Sequence, residues 1–290
     1  MGVVVTVMNM KGGVGKTTVS THLAGLLGRY SIRTKTRKIL AIDYDPQFNM
    51  SQTFLAPKTY FQLEKDRKTT LSILLDDDTD LNPYQLQVPG NHNPPDVAKL
   101  RTRIYNNHMD KNGYLDLIPS TLDLMYVALG QANAQTKPIE ERFRKFIEQC
   151  REIYDVVIID CHPAGSLFTK TSLRNSDHVL IPVVPQRYAV LGIGLMLQFI
   201  ASKKVGEAAP IPHILFNLTP RVGTEVIETT IRTHGTFSKY CMDSKFTKYT
   251  AFSEPDGGKG FVWSSQKPYS TEAFVNLFAV ANEFVDRIGA

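Results

Sequence analysis

The chain has 290 residues, 42% of them hydrophobic, and no apolar run approaches the roughly 18 residues that a membrane span requires. Its three cysteines are widely spaced and form no C-x-x-C pair, which argues for a reducing cytosol and against a disulfide scaffold or an iron–sulfur site. The net charge of +5 and the pI near 9.0 are compatible with a polyanionic partner.

Short apolar runs rich in β-branched residues alternate along the chain with helical patterns. They predict strands at Val3–Asn9, Lys38–Asp45, Tyr114–Pro119, Asp155–Cys161, His178–Val184 and Ile211–Asn217. The spacing of apolar residues predicts helices at Lys16–Tyr30, Glu140–Ile153, Val190–Lys203, Glu225–His234 and Thr271–Ile288. Near-continuous apolar strands separated by helices predict an α/β fold, with a doubly wound, mostly parallel sheet covered by helices on both faces.

One domain is expected to span residues 1–290. Within it, the segment Val88–Gly113 is polar and rich in proline and asparagine. We interpret residues 81–113 as a surface excursion that is partly helical around Val97–Tyr105.

A glycine-rich loop lies between the first predicted strand and the first predicted helix. The stretch "MKGGVGKTT" ends in the Gly-Lys-Thr of a phosphate-binding loop, but it has Met10 where the common pattern G-x-x-x-x-G-K-[ST] has glycine, and then a second lysine, Lys11. Its glycines would let backbone N–H groups converge on an anion at the positive end of a helix dipole. Lys16 would lie along the β- and γ-phosphates, and the Thr17 hydroxyl would hold Mg²⁺.

Carboxylates follow two of the predicted strands. Asp43 and Asp45 end the second strand, where alternation would point both side chains toward a ligand crevice. Asp45 could position a water molecule and Asp43 could support a metal. Asp160 ends the apolar run "VVIID", which is the form of a strand whose aspartate holds Mg²⁺ through water.

Together, "KGGVGKTT", "DYDPQFN" and "VVIIDCHP" resemble the deviant Walker A, A′ and B motifs of the ParA/MinD ATPases, and the Met10–Lys11 departure is that family's own mark. Later segments are similar to the short ParA/Soj partition ATPases: Ser176–Met196 to their fifth-strand region, and "AFSEPDGGKGFV" (Ala251–Val262) to the stretch around their S-E-A-P. The resemblance therefore covers nearly the whole chain and implies a P-loop type of fold.

The resemblance implies an Mg²⁺-dependent ATPase with slow intrinsic turnover that forms ADP and phosphate, and a homodimer that encloses two ATP molecules. Lys11 matches the lysine that crosses to the partner's nucleotide, Asp45 matches an aspartate needed for hydrolysis, and Asn217 matches a contact to adenine. The implied catalytic residues are Lys11, Lys16 and Asp45, and the implied metal site comprises Thr17, Asp43 and Asp160. The implied nucleotide-binding residues are Gly12, Gly13, Val14, Gly15, Lys16, Thr17, Thr18 and Asn217.

The short ParA/Soj type binds DNA without sequence preference when it is dimeric with ATP, and a ParB-like or adaptor protein stimulates its hydrolysis. We therefore expect a cytoplasmic, nucleoid-associated protein that segregates a plasmid, a chromosome or another cargo. Basic side chains near the C-terminal third could contact DNA phosphates. These candidates are Arg221, Arg232, Lys245, Lys248 and Lys259.

Two alternatives stay open from the sequence. The first is a MinD-like switch on a membrane surface, which uses a basic amphipathic C-terminal helix. Because Lys267 and Arg287 are the only basic residues after Phe261, we expect no membrane partner. The second is a metabolic synthetase on the same scaffold, which no residue specifically indicates. His162 departs from the family, which has proline there.

Overall fold

The computed structural model describes residues 1–76, 93–129, 136–162, 167–202, 209–253 and 255–290. Within these ranges, seven strands form one sheet in the order β3-β4-β2-β5-β1-β6-β7, in which only the β3–β4 pair is antiparallel. The strands are β1 (Val3–Val7), β2 (Lys38–Tyr44), β3 (Thr102–Asn106), β4 (Tyr114–Ile118), β5 (Val156–Cys161), β6 (His178–Val183) and β7 (Ile211–Phe216). The six strands predicted from the sequence and the mostly parallel α/β sheet are confirmed.

Helices cover both faces of this sheet, and each face has its own hydrophobic cluster. The helices are α1 (Lys16–Arg29), α2 (Asn49–Phe54), α3 (Pro57–Lys65), α4 (Leu71–Leu74), α5 (Val97–Leu100), α6 (Leu124–Leu129), α7 (Lys137–Ile153), α8 (Leu167–Arg174), α9 (Ala189–Ile200), α10 (Val226–Thr233) and α11 (Ser270–Ile288). Side chains of α1 and α11 pack on one face, and those of α7 to α10 pack on the other. This two-sided cover explains why the strands are apolar throughout.

The strand order reverses direction at the centre of the sheet. The chain runs from β1 through α1 to β2 on one side, and from β5 through α8 to β6 on the other side. β1 and β5 are neighbours in parallel register, with Val7 beside Asp160. The loop after β1 and the carboxylate that ends β5 therefore share the crevice at the switch point, where open α/β sheets bind ligands.

The predicted excursion at residues 81–113 is corrected by the structure. The predicted helix around Val97–Tyr105 stops at Leu100, and residues 102–106 form the antiparallel edge strand β3. Arg101 and Arg103 pair with Asp116, which is fully buried on β4, so a buried charge and the strand pairing favour extended backbone here. Residues 77–92 lie outside the described part of the chain.

The opposite edge, β7, is covered by the segment 241–248. Met242 donates a backbone hydrogen bond to Ile214, and Phe246 donates one to Phe216 (2.9 and 2.8 Å). The buried Glu228 binds the side chains of Arg232 and Lys245, which anchors this segment to α10. These hydrogen bonds occupy backbone groups at the β7 edge of the sheet without a full additional strand.

The Gly28→Ala variant tests how closely α1 approaches the sheet. A Cβ atom at Gly28 would lie 2.7 Å from the Leu115 side chain and 3.0 Å from the Leu115 backbone nitrogen, so the Gly28→Ala variant should lose about 1–3 kcal/mol of unfolding free energy. Gly192→Ala on α9 is the matched control, because nothing lies within 4 Å of its Cβ position. This control should gain about 0.5–1 kcal/mol. Urea unfolding without nucleotide measures both, and equal values would contradict the packing argument.

Candidate functional site

The glycine-rich loop ends in a helix start that has open backbone donors. Gly13 and Gly15 have positive φ values (72° and 81°), and no side chain caps the first turn of α1. No acidic residue lies in that turn. The N–H groups and the positive end of the helix dipole are therefore available to an anion.

Asn217, which follows β7, holds this loop in place. Its side-chain nitrogen donates to the Val14 carbonyl at 2.8 Å, and its side-chain oxygen accepts from the Leu218 N–H at 2.8 Å. A Cβ atom at Gly15 would lie 2.3 Å from the same nitrogen, so only glycine fits against Asn217. The structure thus shows a bracing contact for Asn217, while the contact to adenine stays a prediction.

Lys16, Thr17 and Asp160 lie near one another at the switch point, because Thr17 and Lys16 both act on Asp160. Lys16 is buried as a residue, and among the described residues its ammonium has no direct hydrogen-bond or ion-pair partner. Asp160 is buried, and its Oδ1 atom has no hydrogen-bond partner within the described part of the chain. Burial raises the pKa of Asp160 to about 6, while the Thr17 and Ser20 hydroxyls and the Lys16 charge oppose the shift.

These groups fit the Mg²⁺ and triphosphate that the sequence predicts. An uncompensated lysine, a helix N-terminus and a threonine hydroxyl match phosphate and metal oxygens, and an unpartnered buried carboxylate oxygen matches a hydrated cation. Here Mg²⁺ would neutralise phosphate charge, Thr17 would be its direct ligand, and Asp160 would hold its water shell.

Asp43 and Asp45 do not face the crevice in the same way, contrary to the alternation argument. Asp43 is fully buried, and its Oδ2 atom accepts hydrogen bonds from the Ser51 N–H and hydroxyl at 2.8 and 2.6 Å. Burial and the neighbouring Asp160 raise the pKa of Asp43 to about 8. β2 ends at Tyr44, so Asp45 lies beyond the strand and accepts the Gln47 N–H at 2.9 Å.

The structure therefore assigns the two carboxylates different surroundings. Asp43 anchors α2 through Ser51, whose hydroxyl also accepts the Ser120 N–H at 2.9 Å after β4. Asp45 is close enough to Asp160 to contribute to the raised pKa of that group. Asp43 is thus occupied by Ser51, whereas Asp45 is slightly exposed, and its role in orienting water stays a prediction.

Lys11 lies on the outer side of the loop. Its side chain donates to Gln186 at 3.0 Å, and its backbone N–H donates to Asn9 at 2.9 Å. Asn9 in turn donates to the Pro182 carbonyl of β6 at 2.8 Å. The exposed Lys11 is thus held toward the β6–α9 connection, whereas Lys16 is buried and its charge acts on Asp160.

A cleft of about 640 Å³ continues from Thr18 away from the phosphate loop, which is within the roughly 300–1,000 Å³ of small-molecule pockets. Arg221 stacks on the Tyr269 ring at 4.3 Å, and both residues line this cleft. Tyr269 and Leu218 have positive φ values of 64° and 55°, which are unusual for residues other than glycine. Two backbone conformations that are unusual for residues other than glycine therefore lie beside one cleft.

The residues predicted to contact DNA differ in their exposure and in the contacts that they already make within the protein. Arg232 and Lys245 bind the buried Glu228, and Arg232 also donates to the Met242 carbonyl, so both already stabilise the 241–248 segment. Arg221 and Lys248 line the cleft, and Lys259 is exposed in a turn. All five stay predictions as DNA contacts, but only the last three present exposed side chains.

Several site residues were not found by the sequence reasoning. Ser51, Ser120 and Gln186 act through contacts between segments that are far apart in the chain. Asn9 could have been identified from the sequence, because it ends the first predicted strand directly before the loop. His162 has a buried Nδ1 atom without a partner among the described residues, and its role stays open.

Comparisons with known proteins agree with this geometry. A profile of the family described as an AAA domain (AAA_31) matches residues 2–208. The sporulation initiation inhibitor protein Soj of Bacillus subtilis is 26% identical over 287 residues, covering 96% of this chain and 97% of Soj.

Two solved structures share the fold. A plasmid partition protein from Borrelia burgdorferi B31 bound to AMPPNP has a TM-score of 0.67 at 20% identity, covering 99% of this chain and 100% of that one. pNOB8 ParA bound to nonspecific DNA has a TM-score of 0.63 at 20% identity, covering 100% and 99%. By its family match the chain belongs to the AAA_31 family, and it is similar in sequence to Soj and ParA partition proteins.

Proposed function

We propose that the protein is an ATP-driven positioning switch: ATP brings two copies together, the dimer binds DNA without sequence preference, and a partner protein triggers hydrolysis and release. The observation that supports this proposal is that the two lysines of the loop have different surroundings. Lys16 is a buried residue whose charge acts on Asp160, whereas Lys11 is exposed and held toward Gln186. A lysine outside its own site is suited to a nucleotide in a facing subunit.

Hydrolysis would depend on positioning and charge. Asp45 would orient the attacking water, and Lys16 with the amides of the loop would hold the phosphates. Lys11 from the facing copy would stabilise the negative charge that develops during transfer, as an arginine finger does. Without that second cation, slow turnover is expected, which makes the triphosphate state long-lived enough to carry a signal.

DNA binding is supported by the exposed basic residues and by the relative that binds nonspecific DNA. The net charge of +5 favours association with a polyanion. Since nonspecific binding relies on phosphate neutralisation, several modest contacts repeated in a dimer are sufficient. These properties suit a nucleoid-associated cytoplasmic protein that segregates a plasmid, a chromosome or another cargo, with a ParB-like or adaptor protein as its stimulator.

The membrane-surface alternative is disfavoured by the last helix. Apolar residues of α11, including Leu277, Val280 and Phe284, are buried in the core cluster beside α1. An apolar face that is already packed is not available to lipid. Within the described residues, no helix has the length and hydrophobicity of a membrane span.

Nucleotide-dependent DNA retention tests the proposal as a whole. We expect retention on nonspecific duplex DNA with ATP and Mg²⁺, and little retention with ADP or without nucleotide. If six or more phosphates are contacted, affinity should fall about 10³-fold between about 50 and 200 mM salt. A gel-shift or surface-retention measurement is sufficient, and equal binding in all three nucleotide states would refute the switch.

The Lys11→Ala variant tests the role of the outer lysine. Partner-stimulated turnover should fall by about 10³-fold, as it does when an arginine finger is lost, and the dimer formed with ATP should weaken. Binding of ATP to the monomer should change little, because Lys16 remains. Lys16→Ala is the contrasting variant, and it should lose nucleotide binding itself. Unchanged dimerisation and stimulated turnover in Lys11→Ala would remove Lys11 from the mechanism.

The buried Asp160 should cost stability when no cation is present. The pKa of Asp160 is about 6 in the folded chain and near 3.9 in the unfolded chain, so the folded chain holds this proton more tightly. The resulting contribution to the free energy of unfolding is fully present below about pH 4 and is lost as the pH rises through 6. In EDTA, Asp160→Asn should therefore be more stable than the parent by roughly 1–3 kcal/mol above pH 7, with little difference near pH 4. Its Mg²⁺ affinity with nucleotide should fall about 10–100-fold.

The exposed Glu272→Gln is the control for the Asp160→Asn comparison, and it should show no comparable pH-dependent difference. Urea unfolding across this pH range measures the stability of all three proteins. A difference between Asp160→Asn and the parent that does not vary with pH would show that Asp160 is not destabilised by its ionisation.

A further inference from the structure

A tight turn at residues 256–259, the glycine turn, lies against the C-terminal end of α2. Asp256 and Lys259 exchange two backbone hydrogen bonds of 3.0 Å. The two residues between them, Gly257 and Gly258, have positive φ values of 56° and 82°. Positive φ at both central residues is typical of a type I′ turn, which favours glycine and asparagine. The conformation of this turn therefore depends on its two glycines.

The glycine turn supplies hydrogen-bond donors to the end of α2. This helix has six residues, so its last carbonyl groups have no donor within the helix. The Gly257 N–H donates to the Gln52 carbonyl at 2.9 Å. The Gly258 N–H donates to the Thr53 carbonyl at 2.8 Å. A Cβ atom at Gly258 would lie 3.0 Å from the Phe54 carbonyl oxygen, so a larger residue would push the turn away from α2.

The side of α2 that faces the start of α1 is incompletely packed. A cavity of about 360 Å³ lies there, and its lining includes Thr17 of α1, Gln52 of α2 and Asp256 of the glycine turn. Beyond the cavity, the Phe261 ring stacks on Phe54 with ring centroids 5.4 Å apart. Because the cavity separates part of α2 from α1, contacts from the glycine turn and Phe261 are needed to hold this end of the helix.

The other end of α2 holds the carboxylates at the end of β2. The Ser51 N–H and hydroxyl donate to Oδ2 of Asp43, and the Asp45 N–H donates to Oδ1 of Asp43 at 3.3 Å. A series of contacts therefore runs from Gly258 through α2 to Asp45, the carboxylate predicted to orient the attacking water. The phosphate loop is held separately, by Asn217.

We propose that the glycine turn is a positioning element for ATP hydrolysis: it fixes the C-terminal end of α2, and α2 in turn fixes Asp45 beside the attacking water. This inference rests on the proposed function, because it uses the hydrolysis assigned to Asp45. It adds that the rate of hydrolysis depends on a segment remote in the chain, whereas ATP binding depends on Lys16 and the amides of the phosphate loop. Displacement of the turn should therefore slow hydrolysis without weakening nucleotide binding.

Single-turnover hydrolysis by the full chain with ATP and Mg²⁺ tests this role. Gly258→Ala should lower the rate constant of hydrolysis about 10- to 100-fold, since a misplacement of about 1 Å is sufficient for such a loss. Its dissociation constant for a fluorescent ATP analogue should stay within about twofold of the parent value, because uniform binding is retained.

Gly257→Asn is the conservative variant of the turn. The dipeptide Asn-Gly favours the same type of turn, and a Cβ atom at Gly257 would meet its nearest neighbour at an ordinary 3.7 Å. This variant should hydrolyse ATP at the parent rate.

Gly113→Ala is the control for a loss of stability alone. A Cβ atom at Gly113 would lie 3.0 Å from the Asn107 side chain, between β3 and β4 and away from α2. This variant should unfold at a lower temperature than the parent but hydrolyse ATP at the same rate. Ser51→Ala provides a second measurement. Because Ser51 and Gly258 act through the same helix, their effects on the rate should not multiply in the double variant.

The outcomes separate this inference from the proposed function. If the parent hydrolyses ATP and Gly258→Ala does so at the same rate, the positioning role is overturned and the ATPase survives. Equal losses of rate in Gly258→Ala and Gly113→Ala, or effects of Ser51→Ala and Gly258→Ala that multiply, would also overturn it. If the parent forms no ADP, both proposals fail.

Discussion

The parallel pairing of β1 with β5 is the constraint on which the candidate site depends. It places Val7, which precedes the phosphate loop, beside Asp160, which ends β5. Because the sheet winds in opposite directions from this pair, α1 and α8 leave on different faces and the crevice between them stays open. A one-residue slip in this register would turn the Asp160 side chain to the other face of the sheet.

The site combines stabilising and destabilising groups. Asn217 and Ser51 hold the loop and α2 by hydrogen bonds within the protein. Asp160 and Asp43 are buried carboxylates with raised pKa values, and Lys16 is an ammonium without a partner among the described residues. Buried groups of this kind are costly unless they are paired or neutralised. Their arrangement is more useful for binding Mg²⁺ and phosphate than for folding.

The surface divides into regions of different chemistry around this site. Exposed basic side chains such as Arg221, Lys248 and Lys259 lie after β7, where they suit a polyanion. The exposed side of α9 presents Leu191 and Leu195, and residues 189–200 carry no charged side chain. Arg232 and Lys245 show that a basic stretch of sequence is not by itself a basic surface, because both are engaged by Glu228.

The sequence by itself determined the six apolar strands, the mostly parallel sheet and the phosphate loop, because each rests on local properties: β-branched runs, helical spacing and the placement of Gly-Lys-Thr. It missed β3, whose extended backbone depends on pairing with β4 and on ion pairs with the buried Asp116. It expected Asp43 and Asp45 to face the crevice together, although only packing shows that the Ser51 N–H and hydroxyl bind Asp43.

Only the tertiary structure decided the remaining contacts, for the same physical reason. The Asn217 brace, the contact from Lys11 to Gln186 and the exposed side of α9 all depend on residues brought together across about 170 to 200 positions or on what neighbouring helices leave exposed. Spacing along a chain records which residues share one helix or strand. The distances between residues, the burial of their side chains and the hydrogen bonds that a carboxylate oxygen accepts are properties of the folded chain.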